Sequence, residues 1–468
     1  MFSPLIYFAV IACQSLLGLA RPQYSAVNTL LARTNGTAPG NSTTTGKLRG
    51  VVENSGVCET TPGVYQASGY GDISANESVW FWFFAARKNP ETAPLILWLN
   101  GGPGSSSMEG IFDVNGPCRI NNDSSSVSHN PTSWNEVANI IYVDQPIGVG
   151  FSHGVTTVNS TGAAAMDMWK FMQIFFADPR FSKYQKLDFG LWTQSYGGHY
   201  GPTFSAYFLQ QNAAIANGTV SGTTINLKTL GIGNGLTDGL IQYPGYITYA
   251  SSNPYHPLVN DSIILGSSLA WSEFLGCKDQ ITLCRTTGED ALCSLAQQYC
   301  NTFILNVLIG TYDYYYVPSE RPDPYPADFT EYINSENVTS KIGAEGTWAD
   351  FSPLVYANFA ATGDWVRSAR EDLETVINAG VRTLIFAGDA VDALETKFAD
   401  EYKQQSFANY TVRGESAGLF KNAGTLSYLR VFGAGHEVPA YKFGSLDVGE
   451  AALQMFTQTI SGQNLTST

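Results

Sequence analysis

Leu191-Trp-Thr-Gln-Ser-Tyr-Gly-Gly-His-Tyr-Gly201 is the stretch whose reading decides the fold. The apolar run 187–192 reads as a buried strand, and 200–212 reads as a helix. Between them stand Ser195 and a pair of glycines. A strand, a sharp turn carrying serine and a helix together lift a hydroxyl out of the chain as a nucleophile. The stretch departs from the usual G-x-S-x-G pattern, because Thr193 takes the first glycine position and only Gly197 is kept. Small residues are wanted there because strand and helix backbones pass close together. Read alone, the stretch fits a serine in an ordinary glycine-rich turn equally well, so its surroundings have to decide.

Working outward, 79–86 is dense in aromatics, 95–99 and 140–143 are short apolar runs, and 163–176 is helix-like. Strand patterns return at 227–232 and 382–387. Strands alternating with helices predict an α/β fold with a mostly parallel central sheet covered on both faces. Between 241 and 350 the character changes. That stretch holds four cysteines, the Tyr312-Asp-Tyr-Tyr-Tyr316 cluster and the proline-rich 317–326. It reads as a cap insertion, with core parts at 51–240 and 351–468. The tyrosines read as half-buried packing with polar tips rather than as a pocket lining.

Residues 1–20 carry an apolar centre at 5–19 and read as a signal peptide. Pro4, Gln14 and the short length argue against a membrane anchor. Residues 21–50 are rich in Asn, Thr, Ser and Gly and read as a propeptide or flexible arm. Asparagine glycosylation signals occur at Asn35, Asn41, Asn76, Asn122, Asn159, Asn217, Asn260, Asn337, Asn409 and Asn464. Loss of Cys13 with the signal leaves Cys58, Cys118, Cys277, Cys284, Cys293 and Cys300, an even set that fits an oxidising compartment. Their spacing leaves the pairing open. It holds no C-x-x-C and no histidine among the last four, which argues against zinc. These features together predict a secreted or vacuolar protein. A net charge of −15 excludes the basic stripe that nucleic-acid binding needs.

A serine nucleophile needs a base, an acid and an oxyanion hole. Five histidines are present. His436 stands in Val431-Phe-Gly-Ala-Gly-His-Glu-Val-Pro439, a strand end and glycine turn near the C-terminus, which fits the order Ser…Asp…His. His199 lies on the helix that leaves the turn and points away from the hydroxyl. The acid belongs in Leu384-Ile-Phe-Ala-Gly-Asp-Ala-Val-Asp392, which offers Asp389 and Asp392. The oxyanion hole is expected from the backbone N–H of Tyr196 and of Gly102, in Trp98-Leu-Asn-Gly-Gly-Pro-Gly-Ser105. A phosphate loop is the rival reading of that glycine run, but the Walker lysine is missing.

With these motifs in place, the chain resembles the serine carboxypeptidase family, closest to its secreted fungal branch. The resemblance rests on Cys58-Glu-Thr-Thr-Pro-Gly-Val64, Leu97-Trp-Leu-Asn-Gly-Gly-Pro-Gly-Ser-Ser-Ser107, Val143-Asp-Gln-Pro-Ile-Gly-Val-Gly-Phe-Ser152, the Ser195 elbow and Gly433-Ala-Gly-His-Glu-Val-Pro439. It implies an α/β-hydrolase fold with a cap, a Ser-His-Asp triad, no metal or cofactor, and release of one C-terminal residue through an acyl-enzyme. It further implies that Trp98, Asn100, Gly101 and Gln194 frame and hold the substrate's terminal carboxylate.

Three departures stand out. The family has glutamate immediately before the nucleophile, where this chain has Gln194. The partner glutamate falls at Val114, beside Asp113. The family pattern Gly-Asp-x-Asp puts its catalytic aspartate at Val391, one residue before Asp392. The expectation is therefore a carboxypeptidase with altered carboxylate recognition. The alternatives are an acyltransferase or esterase on the same scaffold acting on an acyl substrate, and a weakly active or inactive homologue.

Overall fold

The computed structural model describes residues 46–313, 315–320, 327–386 and 399–468. The expected signal segment, most of the 21–50 arm, Asn35, Asn41, Asp389, Val391 and Asp392 lie outside the described residues. The strands are β1 (Leu48–Glu53), β2 (Gln66–Ser74), β3 (Glu77–Phe84), β4 (Leu95–Leu99), β5 (Cys118–Ile120), β6 (Val127–His129), β7 (Asn139–Val143), β8 (His153–Gly154), β9 (Phe189–Gln194), β10 (Leu227–Gly233), β11 (Arg382–Phe386), β12 (Ala408–Val412), β13 (Glu415–Ala423) and β14 (Leu426–Val431). Apart from the small β5–β6 hairpin, they form one sheet ordered β1-β2-β3-β7-β4-β9-β10-β11-β14-β13-β12, with β8 on β3.

The expected parallel sheet occupies the centre. From β7 to β14 every pairing is parallel, whereas both flanks are antiparallel. For β2–β3, β12–β13 and β13–β14 the reason is chain length between strands. Ala75-Asn76, Arg413-Gly414 and Gly424-Thr425 are too short for a crossover and close hairpins. The central strands are instead linked through helices such as α1 (Thr161–Ala177) and α2 (Gly197–Ala216). Every residue of β4, β7 and β9 is buried, so these strands read as continuous apolar runs rather than alternating ones.

One face packs Phe81 against Phe171 and Phe175 of α1. On the other face Trp134 meets Trp98, Trp192 and Phe456 with ring centroids 4.1–5.4 Å apart. After β10 the chain enters a helical segment, α3 (Gly239–Ser251), α4 (Asp261–Ser272), α5 (Cys277–Thr287) and α6 (Asp290–Cys300). Cys277–Cys300 and Cys284–Cys293 staple α5 to α6, and Cys58–Cys118 joins the N-terminal part, so all six cysteines are paired.

At the elbow, β9 runs two residues beyond the expected 192, because Thr193 and Gln194 still pair with Ile232 and Gly233 of β10. Helix α2 starts at Gly197, three residues early. The glycines there are a packing requirement. A Cβ on Gly197 would lie 2.4 Å from the Thr193 Cβ, and one on Gly198 would lie 2.4 Å from the Leu236 carbonyl oxygen. Thr193 thus fills the space that the usual first glycine leaves open. Its hydroxyl donates to the Gly197 carbonyl at 2.9 Å. Gly197→Ala should cost about 1–3 kcal/mol, read as a lower Tm, and Thr193→Gly in the same chain should restore most of the loss.

Asp144, just past β7, is buried and buckles the glycine loop to the sheet. Its carboxylate accepts from the Ser106 hydroxyl (2.6 Å), the Ser107 N–H (2.9 Å) and the Phe151 N–H (2.9 Å). Burial nevertheless pushes this carboxyl up to about 7, against those three donors. The folded chain therefore keeps a proton here at pH values where the unfolded chain has lost it. This contribution to stability is greatest below about 4 and is lost as pH rises toward about 7. Thermal unfolding from pH 4 to 7 should show a falling Tm, and Asp144→Asn should flatten that slope.

Candidate active site

The carboxyl ends of β4, β9, β10, β11 and β14 converge on one edge of the sheet, the edge where open α/β sheets bind ligands. Ser195 sits there with φ +64°, a left-handed conformation that costs a non-glycine residue about 1–3 kcal/mol. Its surroundings enforce that shape. The Ser195 N–H donates to the Gly233 carbonyl at 2.9 Å, and its own carbonyl accepts from Gly198 and Leu236 at 2.9 Å each. Among its buried neighbours Ser195 alone is partly exposed.

The glycine loop reaches Ser195 because Trp98 and Leu99 of β4 pair in register with Trp192 and Thr193 of β9. Asn100, Gly101 and Gly102 therefore emerge beside Gln194, Ser195 and Tyr196. A Cβ on Gly101 would lie 2.3 Å from the Tyr196 nitrogen and 2.8 Å from the Ser195 Cβ, so only glycine allows this approach. Gly102 holds φ +100°. The N–H groups of Gly102 and Tyr196 have no acceptor among the described residues, which leaves both free for a developing oxyanion.

His436 follows β14, and its backbone is held from two sides. Its N–H donates to the Tyr315 carbonyl at 2.8 Å. The Asn234 amide donates to the His436 carbonyl at 2.7 Å. The Tyr315 ring packs on the imidazole at 4.7 Å. Burial holds the imidazole down to about 4, with Asp313 pulling the other way, so it is neutral and able to take a proton from weakly acidic pH upward. His199 is spent elsewhere: its two ring nitrogens lie 2.6 Å from the Leu236 carbonyl and 2.9 Å from the Arg367 carbonyl. The two aspartates expected to complete the triad, Asp389 and Asp392, fall outside the described residues just beyond β11.

The residues expected around the substrate carboxylate are arranged in two tiers. Trp98 is fully buried, and its indole N–H donates to the Asn100 side-chain oxygen at 2.6 Å. The Asn100 amide in turn donates to Glu109 at 2.8 Å. Trp98 thus orients Asn100 from below. Gln194 lies with its amide nitrogen 3.5 Å from Glu437 Oε1. Val114 is buried at the end of a helical turn, Gly110–Val114, which also carries Asp113. Glu109 and Asp113 are pushed well above the ordinary carboxylate range, first by burial and then by nearby carboxylates: Asp350, Glu437 and Asp113 for Glu109, and Glu437, Asp350 and Asp328 for Asp113.

Sequence reasoning passed over Glu109, Asp144, Asn234, Tyr315 and Glu437. Two of them carried a readable signal. Asn234 interrupts a glycine pair directly after a strand, and Glu437 adjoins the candidate base. The tyrosine cluster packs largely as expected, Tyr312 on His256 and Tyr316 on Tyr441, but Tyr315 packs on the candidate base itself.

Comparison with known proteins agrees with this geometry. The model of the serine carboxypeptidase family matches residues 57–462. Carboxypeptidase S1 of Penicillium janthinellum is 40% identical over 432 residues, covering 89% of this chain and all of that protein. Carboxypeptidase Y of Schizosaccharomyces pombe is 35% identical over 85% of this chain, which spans 41% of that longer protein. Among solved structures, a prohormone-processing carboxypeptidase of Saccharomyces cerevisiae superposes with a TM-score of 0.72 at 21% identity, covering 88% of this chain and 94% of that one, and so shares the α/β-hydrolase fold. The chain belongs to the serine carboxypeptidase family, and it is a serine-type carboxypeptidase, a hydrolase of peptide substrates.

Proposed function

We propose that Ser195 is the nucleophile and His436 the base of this carboxypeptidase, acting on peptides with a free C-terminus. The observation that carries the reading is the left-handed Ser195 standing beside two unspent backbone donors, Gly102 and Tyr196. In the proposed cycle, His436 takes the Ser195 proton as Oγ attacks the last peptide carbonyl. The resulting oxyanion is held by the N–H groups of Gly102 and Tyr196. His436 then passes the proton to the departing amine, which releases the C-terminal amino acid and leaves an acyl-enzyme. Water, deprotonated by His436, returns the shortened peptide and free Ser195. Asp392 or Asp389 is assigned to orient the imidazole and stabilise its cation. Asn100, Gly101 and Gln194 would meet the terminal carboxylate, with Trp98 setting the Asn100 amide. The helical segment after β10, through Tyr315, would form the wall of the site opposite the sheet.

We further infer passage through an oxidising, glycosylating compartment, ending outside the cell or in a vacuole. Three disulfides support this. So does the exposure of Asn76, Asn122, Asn217, Asn260, Asn337, Asn409 and Asn464; Asn159 is half-buried. Among the described residues no helix is long and apolar enough to cross a membrane.

The purified protein should be labelled at Ser195 by a fluorophosphonate and should release single C-terminal residues from N-blocked dipeptides. Ser195→Ala should abolish both. Because His436 acts as a base in its neutral form, activity should be lost as pH falls, with the acid limb of kcat/KM below the ordinary imidazole value of about 6.5. Labelling without any release across pH 4 to 8 would overturn the reading.

A further inference from the structure

Resting on the carboxypeptidase reading above, we propose that Asp364 is a positioning residue of the reaction. By gripping the Tyr196 phenol behind the elbow, it aims the Tyr196 backbone N–H at the developing oxyanion.

Tyr196 has a divided task. Its N–H is one of the two backbone donors left without an acceptor beside Ser195, while its side chain is buried at 1% exposure. The phenol hydroxyl donates to Asp364 Oδ2. Burial, and then Asp364 beside it, push the phenol well above its ordinary value, so it stays a donor. The ring between these two ends is closely packed. It stacks on His199 with centroids 4.6 Å apart and planes 5° apart, and it meets Tyr200, Trp365 and Phe359 at 5.2–6.1 Å. The Tyr196 carbonyl is taken by the N–H groups of His199 and Tyr200 at 2.9 and 3.2 Å. With its carbonyl and its phenol both fixed, Tyr196 has little freedom to turn its N–H out of line.

Asp364 is placed to hold these parts together. It opens a single helical turn, Asp364–Val366, 168 residues along the chain from Tyr196. It is buried and forms no ion pair among the described residues. Its Oδ2 also accepts from the N–H (3.0 Å) and the hydroxyl of Thr161, the first residue of α1. A buried carboxylate is costly unless donors take its lone pairs, and here the donors come from the starts of α1 and α2. The same short segment reaches the elbow a second time, through the Arg367 carbonyl 2.9 Å from a ring nitrogen of His199. The stacked Tyr196–His199 pair is thus held at both polar tips by one piece of chain.

A rivet between α1 and α2 that did nothing else would affect stability alone. A donor aimed at the oxyanion acts in the transition state, so loss of its aim falls on kcat.

The test uses the full-length enzyme and an N-blocked dipeptide, with Tm measured beside kcat and KM and all rates taken well below the lowest Tm. Tyr196→Phe removes only the hydroxyl, and Asp364→Ala removes its acceptor. Each should lower kcat about tenfold or more with KM within about twofold, and each should slow fluorophosphonate labelling of Ser195 in parallel. Because both break one link, the double variant should lose no more than the larger single loss. Asp364→Asn, whose amide oxygen still accepts, should recover most of kcat. Thr203→Val is the control for fastening alone. It removes a 2.8 Å bond from α2 to the buried Asp372 that does not involve Tyr196, and it should lower Tm while leaving kcat in place. Full kcat in a folded Tyr196→Phe enzyme would overturn the proposal, even where Asp364→Ala fails to fold. So would losses in the two single variants that add in full, or a loss of kcat in Thr203→Val as large as in Tyr196→Phe. If the wild type labels at Ser195 but releases no C-terminal residue, the carboxypeptidase reading fails separately, and the labelling rates still decide the role of Asp364.

Discussion

The parallel register of β4 on β9 is the constraint on which the site depends. With Leu99 opposite Thr193, the chain leaving β4 has to pass within van der Waals contact of the chain leaving β9. That one alignment sets Gly101 against Tyr196 and Ser195. A slip of one residue would turn every side chain of the strand to the opposite face of the sheet. The tryptophan cluster under the site, in which Trp98 and Trp192 both pack on Trp134, resists such a slip.

Carboxyl chemistry is the second organising theme. Asp144 binds the glycine loop from behind, while Glu437 meets Gln194 and lies close enough to Glu109 and Asp113 for their charges to interact. Asp144, Asp113 and Glu437 are buried and Glu109 half-buried, and each would be costly there as a bare anion. The structure meets that cost with donors at Asp144 and by raising Asp144, Glu109 and Asp113 so that they hold their protons to higher pH.

Most of the fold was legible because its signals are local. Buried strands show as apolar runs, and 95–99 matches β4 without adjustment. The elbow showed through its glycines, although its boundaries moved when pairing with β10 extended β9 to Gln194. Antiparallel flanks were missed because a two-residue turn such as Ala75-Asn76 carries little signature of its own. Ser195, His436 and Gly102 were marked as candidates by motif order. Asn234, Tyr315 and Asp144 were not, because their roles arise from contacts between residues far apart in the chain. Glu437 was visible beside the histidine, but its nearness to Gln194 exists only once β9 and the loop after β14 are brought together.

The two-sided hold on the histidine loop has an energetic consequence. Asn234 grips the carbonyl of His436 from the sheet, and Tyr315 accepts its N–H from the helical side. The entropy of ordering this histidine is therefore spent when the chain folds rather than when a ligand arrives. A histidine held in this way leaves binding energy elsewhere in the site free to be spent on something other than ordering it.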